Sequence, residues 1–143
     1  MKNGDHVYLD SNIVITILEH TAPLNHSQER FINALETGQL TGVSSHLTLA
    51  ECLVKPMRES NEPAIEAVLQ FLEHQEHVDL LPVSRDILVK AAGLRAVAGT
   101  KLPDAIHLAS AVAAGCQTFL SDDKGIRMPP SMARVGFAEL SFE

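Results

Sequence analysis

The sequence predicts an α/β fold, with a mainly parallel sheet covered on both faces by helices. Three observations carry that reading. Short apolar runs ("HVYLD", "LTGVSS", "VDLLPV", "TFLSDD") alternate with longer stretches of helical periodicity. Strands that alternate with helices pair in parallel, because the crossover carries the chain back before the next strand begins. Acids follow two of the strand runs directly, Asp10 after the first and Asp122 and Asp123 after the last of the four. Carboxyl ends of parallel strands are where such sheets bind ligands.

Each element has its own local cause. "HVYLD" is an apolar run ending at Asp10, and residues 12–19 form a helix with Ile13, Ile17 and Leu18 on one face. Residues 25–36 make a second helix, and "LTGVSS" is a short strand and turn. Residues 45–57 make a third helix, closed in the Pro56 region. In "NEPAIEAVLQFLEHQ", Pro63 stands in the first turn and Ile65, Val68, Leu69 and Leu72 define an apolar stripe. "VDLLPV" is the next strand. Ser84 caps a helix running to residue 98, and Gly99 fits its end. Residues 103–115 are a helix of small residues, "TFLSDD" is a strand, and "ARVGF" offers a last short one beyond the loop marked by Pro129 and Pro130.

The 143 residues read as one domain, 1–143, without repeats or linkers. Hydrophobic residues make up 45% and charged residues 20%, the balance of a globular chain with a real core. No apolar run reaches the ~18 residues of a membrane helix, and the N-terminus lacks a signal-peptide pattern, so the expected location is cytoplasmic. Cys52 and Cys116 lie in apolar helical patterns and are expected as reduced, buried thiols. A formal charge of −7 argues against a broad basic surface that grips nucleic acid through many phosphates. With one Tyr, five Phe and no Trp, stacking platforms for single strands are scarce.

The acids each admit a bland reading. Asp10, in "DSN", suits a helix cap. Glu51 lies on the apolar face of its helix between Leu47 and Val54, and Thr48 and Glu51 match capping-box spacing, though the apolar run starts too early for that; a Glu pointing into a polar pocket fits better. Asp104, after Pro103, suits the first turn of a helix, where the macrodipole favours an acid. His107, one turn on, reads as a partly exposed side chain or a local hydrogen-bond partner. Asp122 and Asp123 suit a solvated junction. Taken together, acids at strand ends and on flanking helices repel one another unless a cation neutralises them. All-oxygen ligands suit Mg²⁺ or Mn²⁺, and such a site serves phosphodiester hydrolysis. No zinc spacing, glycine-rich phosphate loop or G-x-S-x-G is present.

Four motifs, "YLDSNIVI", "SSHLTLAECLVKP", "GLRAVAGTKLPDAIHLASAVAAGC" and "FLSDDKGI", span nearly the whole chain. In them the chain resembles PIN-domain ribonucleases, most of all the VapC-type toxins of bacterial toxin–antitoxin pairs. Asp10, Glu51 and Asp104 match the family's first three acidic positions. Ser121 aligns with the hydroxyl of the fourth motif and Asp123 with its acid, while Asp122 holds the variable position, as a second ligand or a mere neighbour.

The resemblance implies a five-stranded sheet in a three-layer α/β/α sandwich and an Mg²⁺-dependent endoribonuclease. It further implies homodimerisation and inhibition by a cognate antitoxin. Asp10, Glu51, Asp104 and Asp123 would hold one or two Mg²⁺, with Asn12 and Ser121 supporting them. Lys55, Arg58, Arg95 and Lys101 are candidates to meet RNA phosphates at the rim. The acidic pocket would also attract an Arg- or Lys-bearing antitoxin segment. The alternative is a catalytically silent PIN-fold module that binds RNA or a protein. A phospho-accepting receiver domain fits poorly, since "VDLLPVS" ends without an acid, and "DSN" lacks the Asp-x-Asp of haloacid-dehalogenase-type phosphatases.

Overall fold

A computed structural model describes residues 1–19, 22–74 and 76–142. Five strands, β1 (His6–Leu9), β2 (Thr41–Ser45), β3 (Val78–Leu81), β4 (Thr118–Leu120) and β5 (Ala133–Val135), form one sheet in the order β3-β2-β1-β4-β5. Every pairing is parallel. The helices are α1 (Ser11–Glu19), α2 (His26–Thr37), α3 (His46–Arg58), α4 (Glu62–Leu69), α5 (Arg85–Ala98) and α6 (Leu102–Ala113).

The side-chain alternation of a strand divides the core in two. Val7, Leu9 and Leu120 join Ile13 and Val14 of α1, Phe31 of α2, Cys52 of α3 and Val68 of α4 on one face. Tyr8, Val43 and Phe119 point the other way, onto Leu108 and Ala111 of α6, with Leu94 of α5 at the edge. Tyr8 and Phe119 are cross-strand partners, and their rings stack with centroids 5.2 Å apart. Helices therefore cover both faces, as the alternating pattern requires.

Topology follows from handedness. From β1 to β3 the chain steps in one direction across the sheet, and from β3 to β4 it returns past β1 to the other side. Right-handed crossovers running in opposite directions must lie on opposite faces, which is the division seen between α1–α4 and α5–α6. The reversal opens a crevice between the carboxyl ends of β1 and β4, where ligands of open α/β sheets bind.

Local signals account for most boundaries. Asn25 and Gln28 make a reciprocal capping box at α2, and Gly38 ends that helix at φ 77°. Ser84 accepts from the Ile87 amide, and Gly99 closes α5 at φ 70°. Three details differ from expectation. Pro56 does not close α3 but sits buried inside it, and the helix continues to Arg58; in the last turn Pro sacrifices only one backbone bond. The helix of "NEPAIEAVLQFLEHQ" is regular only to Leu69, then widens into a π turn over Gln70–His74 that buries Leu72; its final Gln75 lies outside the described residues. A 3₁₀ turn, Phe137–Glu139, follows β5 and seats Phe137 in the core. No helix of the described residues is long and apolar enough to cross a membrane.

Candidate functional site

Asp10 leaves β1 at the crevice and is 4% exposed. Its carboxylate is held by donors that arrive from both sides of the crevice. The Ser11 amide, at the first position of α1, donates to Oδ1 at 2.9 Å. Ser121, the residue after β4, donates its hydroxyl to Oδ2 at 2.7 Å, and Asn12 Nδ2 donates to the same oxygen at 3.2 Å. Asn12 also donates to Ser121 Oγ at 3.2 Å, and its Oδ1 accepts from the Asp122 amide. Asn12 and Ser121 thus tie the ends of β1 and β4 together around one buried carboxylate.

Glu51 reaches the same crevice from α3. Ser45 is the cap of that helix, and Thr48 is buried in a hydrogen bond with Ser44, so the capping-box reading of Thr48 and Glu51 fails. Glu51 Oε1 accepts from Ser11 Oγ at 3.1 Å and from His107 Nε2 at 2.6 Å. Burial raises the Glu51 acid, but the His107 hydrogen bond and charge, with the Ser11 bond, outweigh it and hold the carboxyl below its usual value.

His107 is the residue that sequence reasoning underrated. It is 1% exposed rather than partly exposed. Its Nδ1 is 2.7 Å from the Tyr8 hydroxyl, and Nε2 faces Glu51 and lies 3.7 Å from Asp10 Oδ1. Helix α6 is buried over seven consecutive residues, because it packs on α5, on the sheet and near α3 at once. A polar side chain in such a helix must find partners inside. That requirement was the signal available in "AIHLA".

Asp104 and Asp123 line one cavity of about 280 Å³, together with Lys101, Arg127, Thr100 and Gly125. Asp104 stands in the first turn of α6. Burial, then the negative charges of Asp10 and Asp123 and, more weakly, Glu51, push its carboxyl above the usual value against the pull of His107. Asp123 accepts from the Gly125 amide, and its own amide donates to Ser121 Oγ. Asp104 is therefore within electrostatic reach of the other three acids expected from sequence. Among the described residues, no three His, Cys, Asp or Glu side chains converge closely enough to enclose an ion. The donor set nonetheless fits a hard divalent cation: it is all carboxylate, and the accumulated charge is felt at Asp104.

Asp122 has other work. Its Oδ1 accepts from the Phe137 amide at 2.8 Å, anchoring the 3₁₀ turn after β5. Among the expected rim cations, Lys101 lines the cavity, Lys55 pairs with Glu19 at 3.7 Å, and Arg95 donates to the Thr100 carbonyl at the end of α5. Arg58 is the exposed last residue of α3. Arg127, on the same cavity wall as Lys101, was not expected. Cys52 and Cys116 are free and buried as anticipated, and burial pushes both thiols up to about 12, which disfavours a thiolate ligand beside Glu51.

Comparison with solved structures reinforces the fold. The chain is similar to VapBC2 from Rickettsia felis bound to promoter DNA, with a TM-score of 0.71 and 14% identity over 92% of this chain and 98% of that one. It is similar to a toxin–antitoxin complex from Klebsiella pneumoniae, with a TM-score of 0.62 and 24% identity over 94% and 99%. It also resembles Mycobacterium tuberculosis VapC20, a sarcin–ricin loop cleaving toxin, with a TM-score of 0.66 and 16% identity over 83% and 91%. No curated protein matches it significantly in sequence. The PIN-domain family model matches residues 7–129, from β1 through the crevice acids to the loop before β5, and the chain belongs to the PIN-domain family.

Proposed function

We propose that the chain is a divalent-metal-dependent endoribonuclease and the toxin of a toxin–antitoxin pair, with Asp10, Glu51, Asp104 and Asp123 as its metal-holding acids. The observation that carries this reading is the gathering of acids around the β1–β4 crevice of a PIN fold, where burial, then the negative charges of Asp10, Asp123 and, more weakly, Glu51 raise the Asp104 carboxyl against the pull of His107. The similar structures are toxins or toxin–antitoxin complexes, which supports an RNA substrate and an antitoxin partner here. A homodimer and a cytoplasmic location belong to the same proposal.

Mg²⁺ or Mn²⁺ held by these acids would polarise the phosphodiester and activate a water for hydrolysis. The protein's own part is positional. Ser121 and Asn12 lock the Asp10 rotamer. Lys101 and Arg127 give the cavity beside Asp104 and Asp123 a cationic wall suited to a backbone phosphate. Asp122, whose Oδ1 holds the Phe137 amide, is assigned in this account to the turn after β5 rather than to the cation.

The alternative, a silent binding module, draws on the open spacing of the acids. Thermal melting at millimolar Mg²⁺ separates the two. The nuclease reading expects wild-type stabilisation that vanishes in Asp10→Asn; no wild-type shift favours the module.

A further inference from the structure

We infer that His107 is a positioning residue for Glu51, the middle of a buried relay, Tyr8–His107–Glu51, that fixes which carboxylate oxygen faces the crevice. The inference rests on the metal-site reading above and deepens it.

Geometry dictates the protons. Nε2 lies 2.6 Å from Glu51 Oε1, and a carboxylate oxygen only accepts, so Nε2 carries a hydrogen. With the ring neutral, Nδ1 is then the acceptor, and the Tyr8 hydroxyl 2.7 Å away donates to it. With the ring charged, Nδ1 also donates, and the Tyr8 oxygen accepts. Nε2 donates to Glu51 in both cases. Tyr8 and His107 are 0% and 1% exposed, so water does not compete for these bonds. Tyr8 is itself immobilised, since its ring stacks on Phe119 and its phenol is pushed far above its usual range by burial and stays protonated.

The consequence falls on Glu51. Both of its side-chain hydrogen bonds, from His107 and from Ser11, land on Oε1. The carboxylate is thereby pinned at one oxygen, with Oε2 left for a cation. Glu51 is half-buried near the end of a flexible side chain, so without the relay it would sample several rotamers, and metal binding would have to order it. An apolar residue at position 107 would remove the partner that Tyr8 and Glu51 share, leaving Glu51 with the Ser11 bond alone.

Mn²⁺ binding to the whole chain, followed by the electron paramagnetic resonance of free Mn²⁺, tests this without any RNA. His107→Met keeps bulk and removes the donor; the expected loss in Mn²⁺ affinity is about 10–100-fold. His107→Gln, whose amide can reach the Nε2 position, restores much of it, which a purely packing role would not. Tyr8→Phe keeps the stack on Phe119 and is expected to weaken Mn²⁺ in the same direction by less; it carries the test if His107→Met does not fold. Wild-type affinity in a folded His107→Met, or in Tyr8→Phe should His107→Met not fold, overturns the relay while leaving the metal site standing. A wild type that binds no Mn²⁺ overturns both.

Discussion

Ser121→Ala is the sharpest probe of how the crevice is built. The Ser121 hydroxyl makes three bonds: it donates to Asp10 Oδ2 at 2.7 Å and accepts from the Asp123 amide at 3.1 Å and Asn12 Nδ2 at 3.2 Å. The first dominates. It is short, ends on a carboxylate and is buried at both ends, and such charge-assisted bonds contribute about 1.5–3 kcal/mol. The other two are longer and near solvent, where water can replace the hydroxyl, so they add little. The net expectation is a loss of about 2–3 kcal/mol, or roughly 5–10 °C in Tm for a chain of this size. Urea unfolding in EDTA, followed by circular dichroism, measures it, and an unchanged slope would show that only stability moved. Ser121→Thr, which keeps the hydroxyl, should recover most of the loss if its methyl fits. A loss below about 0.5 kcal/mol for Ser121→Ala, the level of an ordinary surface change, would mean that Ser121 does not hold Asp10.

Two further outcomes follow from the same charges. The Asp104 carboxyl is raised in the folded protein. As pH rises above the unfolded value, the unfolded chain releases this proton first, so stability falls through the window up to the folded pKa and the full penalty is present above it. Asp104→Asn should therefore melt higher than wild type at pH 7 in EDTA, lose that advantage on acidification, and gain less from Mg²⁺; equal melting in EDTA at both pH values would contradict the charge balance. Asp122→Ala should cost about 1 kcal/mol through the unpaired Phe137 amide while leaving the Mg²⁺ response intact, both read by calorimetric melts with and without Mg²⁺.

The elements legible in the sequence were those with a local cause. β1 and β4 announce themselves as apolar runs ending in polar residues, α2 and α5 through Asn25, Ser84 and Gly99, and α6 through Pro103 and its small residues. Even the short β5 was visible in "ARVGF". What escaped depends on distant partners. Pro56 looks like a terminator until the helix is seen to be in its last turn. The π turn at Gln70 has no composition of its own, and it turns Leu72 inward. His107 follows Asp104 by three residues, but its partners Glu51 and Tyr8 are 56 and 99 residues away. Asp10, Asp104 and Asp123 each read alone as a cap or a turn; the joint placement of the acids at strand ends and on flanking helices pointed to one site, and the resemblance singled out Asp123 over Asp122. It did not supply Asp122's structural bond, which requires knowing that the Phe137 amide comes to rest beside it.

The most direct test of the central claim is cleavage of total RNA by purified wild type and Asp104→Asn, in Mg²⁺ and in EDTA, with mapping of the new 5′ ends. The account predicts discrete ends made by the wild type in Mg²⁺ and by neither protein in EDTA, with Asp104→Asn silent in both. Cleavage by Asp104→Asn equal to wild type, or wild-type cleavage undiminished in EDTA, would contradict it.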